Sequence, residues 1–204
     1  MMRLVLATSN PHKIEKLRWI FGEYFNDIVP QDKKIDVEEN GTSFLENAEI
    51  KAAEVSRIYH DYAVATDGGV LIPSLGKDWN GLLTKRFIGR DDATDFERMD
   101  ALLEMMKDKK GNERAIVWNE AIALAYDGKV IFSTQVEGDK GEVQEHYDPQ
   151  QYQPGIWQAT LTCYPQFQGK NYFELNEKER EYSEISWHRL KDAVVDYMKR
   201  HTDS

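Results

Sequence analysis

A short apolar run, Leu4-Val5-Leu6-Ala7, is stopped by Thr8-Ser9-Asn10-Pro11 and followed by Ile14, Leu17, Ile20, Phe21 and Phe25 at helical spacing. An unbroken apolar run reads as a buried strand, and proline suits the first turn of a helix. The pattern predicts a buried strand that feeds a helix over about residues 11–25. Residues 27–30 predict a short strand, and residues 33–41 a polar, acidic loop. Ser43, with Glu46 three residues on, predicts a capping box for a helix whose apolar stripe is Phe44, Leu45, Ala48, Ala52, Val55 and Ile58. Residues 62–65 predict a strand broken by Thr66-Asp67-Gly68-Gly69. A helix is predicted over about 93–107, with Thr94 and Asp95 near its start. Strands over 115–126 and 130–136 are joined by Asp127-Gly128, a hairpin turn. Residues 155–164 read as a further β-prone run and 183–197 as a helix. Strands and helices alternate in the first half and hairpins fill the second, which predicts a mixed α/β sheet.

The composition sets limits. A chain of 204 residues, 41% hydrophobic and 30% charged, is globular and forms one domain, 1–204, or two closely packed lobes. The net charge of −10 argues against sequence-blind binding to nucleic acid or to an anionic membrane, which needs a basic face. It leaves room for a small phosphate site built from a few placed cations. Cys163 is the one cysteine, which excludes an intrachain disulfide and a multi-cysteine zinc cluster. The first apolar run is too short for a signal-peptide core, and no stretch of about 18 apolar residues occurs. The expectation is a soluble cytoplasmic protein.

Four places can carry chemistry. The junction Thr8-Ser9-Asn10 with Lys13 joins a strand to a helix start, where backbone N–H groups and the helix dipole favour an anion. Glu38 and Glu39, in a loop, and Asp67, after a strand and before two glycines, are oxygen donors suited to Mg²⁺. Gly68 and Gly69 allow a ligand close to the backbone. Lys51 can point at a phosphate or into water. Ser186-Trp187-His188-Arg189 places a His-Arg pair near a helix start, where it can bond a base or a phosphate. The metalloprotease, hydrolase-elbow, dinucleotide and P-loop signatures are all absent from the sequence.

The order and spacing of these pieces resemble the inosine triphosphate pyrophosphatase family. The matching segments are Leu4 through Thr8-Ser9-Asn10 to Lys13, Glu38-Glu39-Asn40-Gly41-Thr42-Ser43-Phe44 through Asn47 and Ala48 to Lys51, and Ala65-Thr66-Asp67-Gly68-Gly69-Val70. Arg86 and Gly89 through Asp95, Gly169-Lys170, Glu174-Leu175 and Ser186 to Arg189 extend the likeness over nearly the whole chain. The resemblance implies an elongated mixed sheet flanked by helices, two lobes with the active cleft between them, a homodimer, and Mg²⁺-dependent hydrolysis of a nucleoside triphosphate to the monophosphate and pyrophosphate. It further implies that Thr8, Ser9, Asn10, Lys13 and Lys51 hold the triphosphate, with Gly68 and Arg86 also at the substrate. By the same likeness Glu39 is a metal ligand, and Asp67 is metal ligand or general base.

The chain departs from the family in three places. Thr66 stands where the family has a first acid, and Gly68 where it has serine, so one carboxylate is expected to be missing from the metal site. The family's purine-reading segment falls on Gly155 to Leu161, which puts Ala159 in place of a base-binding aspartate and makes Trp157, Gln158 and Trp187 candidates for a rebuilt base pocket. A competing register uses Tyr147-Asp148-Pro149 and makes Asp148 the base reader; the strand-like character of 155–164 favours the first. The Ser-His-Arg segment is lengthened by Trp187, with His188 and Arg189 following. Three readings stay open: a pyrophosphatase for non-standard nucleotides, one for a modified or pyrimidine nucleotide, and a non-catalytic nucleotide-binding or partner-binding paralogue.

Overall fold

The computed structural model describes residues 2–32, 35, 37–84, 87–90, 92–152, 154 and 156–202. Seven strands form one mixed sheet: β1 (Arg3–Leu6), β2 (Asp27–Pro30), β3 (Tyr62–Leu71), β4 (Ala115–Tyr126), β5 (Lys129–Val143), β6 (Thr162–Tyr164) and β7 (Lys170–Asn171), in the order β2-β1-β3-β4-β5-β6-β7. Among the described residues the α-helices are α1 (Pro11–Phe21), α2 (Phe44–Tyr59), α3 (Asp95–Met105), α4 (Trp157–Leu161), α5 (Glu177–Ser183) and α6 (Ile185–Thr202). Strand β1 runs parallel to both β2 and β3, while β6 is antiparallel to β5 and to β7. The chain divides into two compact units, one of residues 1–68, 120–136 and 186–204, the other of 69–119 and 137–185.

In the first unit, Leu4, Leu6, Val64, Ile122 and Leu124 meet Leu17, Ile20 and Phe21 of α1 and Leu190, Val194 and Met198 of α6. The residues that alternate with them on the strands, Val5, Ala63, Ala65, Ala121, Ala123 and Ala125, are buried too, so both faces of this part of the sheet are covered. Helix α2 packs against β1, and its Ala48, Ala52 and Val55 are fully buried. In the second unit, Met99, Leu102 and Met106 pack with Val70, Trp79, Ile116, Val143, Trp157 and Leu161.

Several expectations need correction. Helix α1 ends at Phe21, not near 25; Phe25 stays in the core because the backbone N–H groups of Tyr24 and Phe25 turn back onto the Phe21 carbonyl at 2.9 and 3.2 Å. The capping box of α2 forms by half. Ser43 accepts from the Glu46 N–H at 3.1 Å, but the Glu46 carboxylate takes the N–H and hydroxyl of Thr42. Strand β3 is not broken at Thr66-Asp67-Gly68-Gly69. Neither glycine has a left-handed φ, and the extended backbone runs on through a fully buried Val70 to Leu71. Residues 157–161 are helical rather than extended, and only Thr162–Tyr164 pairs with β5. Gln158, Ala159 and Leu161 are good helix formers, while the β-prone character of the run lies in Trp157, Thr160 and the residues from Thr162 onward. The Asp127-Gly128 turn is as expected, with φ of 43° and 82°, the left-handed pair that a tight hairpin needs.

Candidate active site

The site grows from the end of β1, the middle of β3 and α2. Asn10 caps α1: its Oδ1 accepts the N–H of His12 at 2.9 Å and of Lys13 at 3.4 Å. The Thr8 hydroxyl oxygen accepts the Asn10 N–H at 3.2 Å, which folds 8–10 into a tight junction with Ser9 and Asn10 exposed. Two of the N–H groups expected to face an anion are therefore already bonded to Asn10. What this junction still offers is the Lys13 ammonium and the hydroxyls of Thr8 and Ser9.

On α2, Asn47 and Lys51 are four residues apart and so share a face. Both turn to β3. The Lys51 Nζ lies 3.0 Å from Glu39 Oε1 and donates to the Thr66 carbonyl at 3.5 Å. The Asn47 Nδ2–H donates to Asp67 Oδ2 at 3.1 Å. Burial raises the Asp67 carboxyl above its ordinary value; Lys51, the Asn47 amide and Lys13 pull it back, and Glu39 pushes it up again. Thr8, Asn10, Lys13, Glu39, Lys51, Asp67 and Gly68 thus all lie in the first unit, and Lys13, Glu39 and Lys51 are close enough to Asp67 to act on its charge.

The Thr66 side chain faces away from this set. Successive side chains of a strand leave opposite faces. Thr66 follows Val64 onto the face packed by α1 and α6, where it is 3% exposed and its Oγ1 has no hydrogen-bond partner among the described residues. A side chain at 66 therefore leaves the strand on the face opposite Asp67.

The donor chemistry suits Mg²⁺ of the kind that keeps its waters and binds substrate phosphates. Two carboxylates, Glu39 and Asp67, are enough for such an ion, and among the described residues no group of three or more His, Cys, Asp or Glu side chains could cage one. Lys51 lies against Glu39 and under the influence of Asp67, so cation binding there displaces or shares with its ammonium.

The residues expected at the base divide differently. Trp157 is 3% exposed and lies in the core of the second unit, its ring stacked on Phe87 at 5.8 Å and edge-on to Trp79. A stacking platform for a base needs an open face, so Trp157 is a core ring instead. Gln158 is half-buried, Ala159 is buried, and Asp148 is exposed with its carboxylate taking the Gln150 N–H. The His188 ring packs edge-on against Trp19 at 5.1 Å on the outside of α1, beside the Lys191 ammonium. It is the buried Trp187 whose ring reaches His12, in the first turn of α1. Adjacent helix positions differ by about 100°, so His188 faces outward where Trp187 is buried. Arg189 is exposed on α6, and Arg86 lies outside the described residues.

The Ham1 family model matches residues 4–186. The chain belongs to the Ham1 family. The Ham1 chain is 37% identical over 131 residues to the dITP/XTP pyrophosphatase of Legionella pneumophila (strain Paris), a match that takes in 63% of this chain and 66%, just under two thirds, of that protein. It is 36% identical over 167 residues to the dITP/XTP pyrophosphatase of a strain of Thermus thermophilus, covering 75% of this chain and 77% of that one. Among solved structures, a Ham1 protein from Coxiella burnetii has the same fold, with a TM-score of 0.79 and 24% identity over 96% of this chain and 100% of that one. A nucleoside-triphosphatase/dITP/XTP pyrophosphatase from Mycobacterium abscessus gives a TM-score of 0.71 at 25% identity, covering 94% of this chain and 98% of that one. The resemblance drawn from the sequence and the mixed α/β sheet both stand.

Asn47, within the segment from Glu38 to Lys51, is joined directly to Asp67. The signal for it was its spacing of four from Lys51, on the face of α2 that carries a cation.

Proposed function

We propose that this Ham1 protein hydrolyses a nucleoside triphosphate to the monophosphate and pyrophosphate, with Mg²⁺, as one 1–204 enzyme that removes non-standard nucleotides. The observation that carries the reading is the convergence of a half-buried carboxylate, Asp67, with Lys51, Lys13 and Glu39 at the end of β1 and along β3. Relatives at 36–37% identity carry the name dITP/XTP pyrophosphatase, which supports the same reaction. Lys13, Lys51 and the Thr8-Ser9-Asn10 junction hold the phosphates, with Gly68 giving them room beside the backbone. A water oxygen bonds to the α-phosphorus, the bond from that phosphorus to the bridging oxygen breaks, and pyrophosphate leaves; the water's proton passes to the Asp67 carboxylate. Burial makes that carboxylate more basic than an ordinary one, in the direction a general base needs. Glu39 and Asp67 would hold Mg²⁺, which when bound neutralises phosphate charge. The reading includes a cytoplasmic homodimer that acts on free nucleotides rather than nucleic acid, the latter in keeping with the net charge of −10.

The test is pyrophosphate release with Mg²⁺ from dITP, XTP and the four standard triphosphates. Asp67→Asn is expected to lower turnover on the best of them by roughly a thousandfold or more, with an unchanged far-UV spectrum. An amide neither accepts the water's proton nor matches a carboxylate as an Mg²⁺ ligand. Wild-type turnover in that variant removes Asp67 from the mechanism; no release from any of the six substrates removes the mechanism itself.

A further inference from the structure

We propose that Asn47 is a positioning residue for the hydrolytic site, one amide that sets both the carboxylate on β3 and the loop that carries Glu39. Its side chain is buried, the residue being 4% exposed, and both ends are engaged. The Nδ2–H donates to Asp67 Oδ2 at 3.1 Å, and Oδ1 accepts the Gly41 N–H at 2.9 Å. The two bonds fix the amide's orientation. Flipped, it would turn its oxygen to a carboxylate and its N–H₂ to another N–H, two repulsions in place of two bonds. The loop comes so close that a Cβ at Gly41 would sit 2.7 Å from Asn47 Oδ1 and 2.8 Å from Glu46 Cβ, so glycine and amide fit only together. Glu39, two residues before Gly41, then reaches Lys51 one turn further along the same helix face.

Neither near-isosteric replacement makes both bonds. Aspartate has the size and accepts from Gly41, but offers no donor to Asp67 and adds a like charge beside it. Leucine has the volume and neither bond. The two substitutions therefore cut different ends of the bridge, Asn47→Asp only the Asp67 end and Asn47→Leu both.

The inference rests on the hydrolytic reading of Asp67, and the experiment separates the two. Steady-state kinetics with Mg²⁺ on the best substrate of the panel are run for wild type and Asn47→Asp. Hydrogen–deuterium exchange by mass spectrometry is run on the peptides covering 38–46 in wild type, Asn47→Asp and Asn47→Leu. Asn47→Asp is expected to lower kcat by roughly tenfold or more with KM within about threefold of wild type, and to leave exchange in 38–46 unchanged. Asn47→Leu is expected to speed exchange there by roughly tenfold or more. Wild-type kcat in Asn47→Asp overturns the inference, as does wild-type exchange in Asn47→Leu. So does a loss of activity in Asn47→Asp that comes with faster exchange, since that marks a structural residue only. A wild-type protein that hydrolyses nothing on the panel fails the hydrolytic reading instead, whatever the exchange shows.

Discussion

Asp139 shows how a single buried acid tunes stability away from the candidate site. It is 2% exposed, and its carboxylate accepts the Tyr164 hydroxyl at 2.6 Å. Burial raises its pKa to about 6, against the hydrogen bond from Tyr164 that lowers it; the Tyr164 hydroxyl is itself pushed up by burial and by Asp139. A carboxyl whose folded pKa lies above its unfolded one favours the folded state when protonated, and that contribution is lost as pH rises through about 6. The rise from 3.8 to about 6 corresponds to about 3 kcal/mol of penalty once the group is ionised. The substitution Asp139→Asn keeps an acceptor for the Tyr164 hydroxyl and removes the ionisation. Urea unfolding is expected to show equal stability for the two proteins near pH 3, below the ordinary value of 3.8, and a variant more stable by up to about 3 kcal/mol near pH 7.5. A difference that does not change with pH would show that the carboxyl stays protonated or hydrated throughout. Legibility at this scale was uneven. Glu39 and Asp67 were readable as acids next to loop and glycine signals and Lys51 as a cation on a helix, although Asp67 lies within β3 and not at its end. The Asn47–Asp67 bond was not, because it joins a helix to a strand across 20 residues and a single amide gives no pattern.

Among the elements, what the sequence disclosed tracks how local the determinants are. The Thr8-Ser9-Asn10-Pro11 junction, the Thr94 cap with its returning Glu97, and the Asp127-Gly128 turn all depend on residues within a few positions, and each helix start or turn was expected where it occurs. The run of β3 through Gly68-Gly69 and the helix at 157–161 depend instead on what lies alongside them. Flexible glycines stay extended when the strand's neighbours hold them, and a short mixed run folds as its surroundings allow. The pairing of β5 with β6 is a case that packing decides. Glu142 faces Cys163 and Val143 faces Thr162 in this ladder. A Cβ on Gly141 would lie 2.6 Å from the Cys163 carbonyl oxygen and 2.7 Å from Thr162 Cγ2. The first of these is backbone and cannot swing aside, so one strand must shift. Gly141→Ala is expected to lower stability by about 1–3 kcal/mol in urea unfolding, with hydrogen exchange raised in 141–143 and 162–164. An alanine variant as stable as wild type would mean that β6 is held by something other than this register.

For the whole molecule, the question is how the groups proposed for the triphosphate and those proposed for the base are distributed along the chain. The groups proposed for the triphosphate, from Thr8 to Gly68, belong to the first unit, while Ala159 and Trp157 belong to the second. The resemblance puts an aspartate that reads the purine at Ala159, and the structure buries that alanine in a short helix beside a core tryptophan. In the other register the reader is Asp148, an exposed residue with one carboxylate oxygen on the Gln150 N–H and so not a buried group. The histidine of the lengthened Ser186-to-Arg189 segment turns to Trp19. A site discriminates sharply when a wrong substrate leaves a buried polar group unpaired, and neither register supplies such a group here. Losing one such contact narrows selectivity by about 1–3 kcal/mol, or roughly ten- to a hundredfold. The expected outcome is that catalytic efficiency for dITP and XTP exceeds that for ATP and GTP by less than about a hundredfold, with dependence on Asp67 equally strong for all four. A preference of roughly a thousandfold or more would mean that a base reader exists among other residues, with Gln158 and Arg189 the first to substitute by alanine. Loss of the preference in one of those variants, with turnover of ATP unchanged, would identify it.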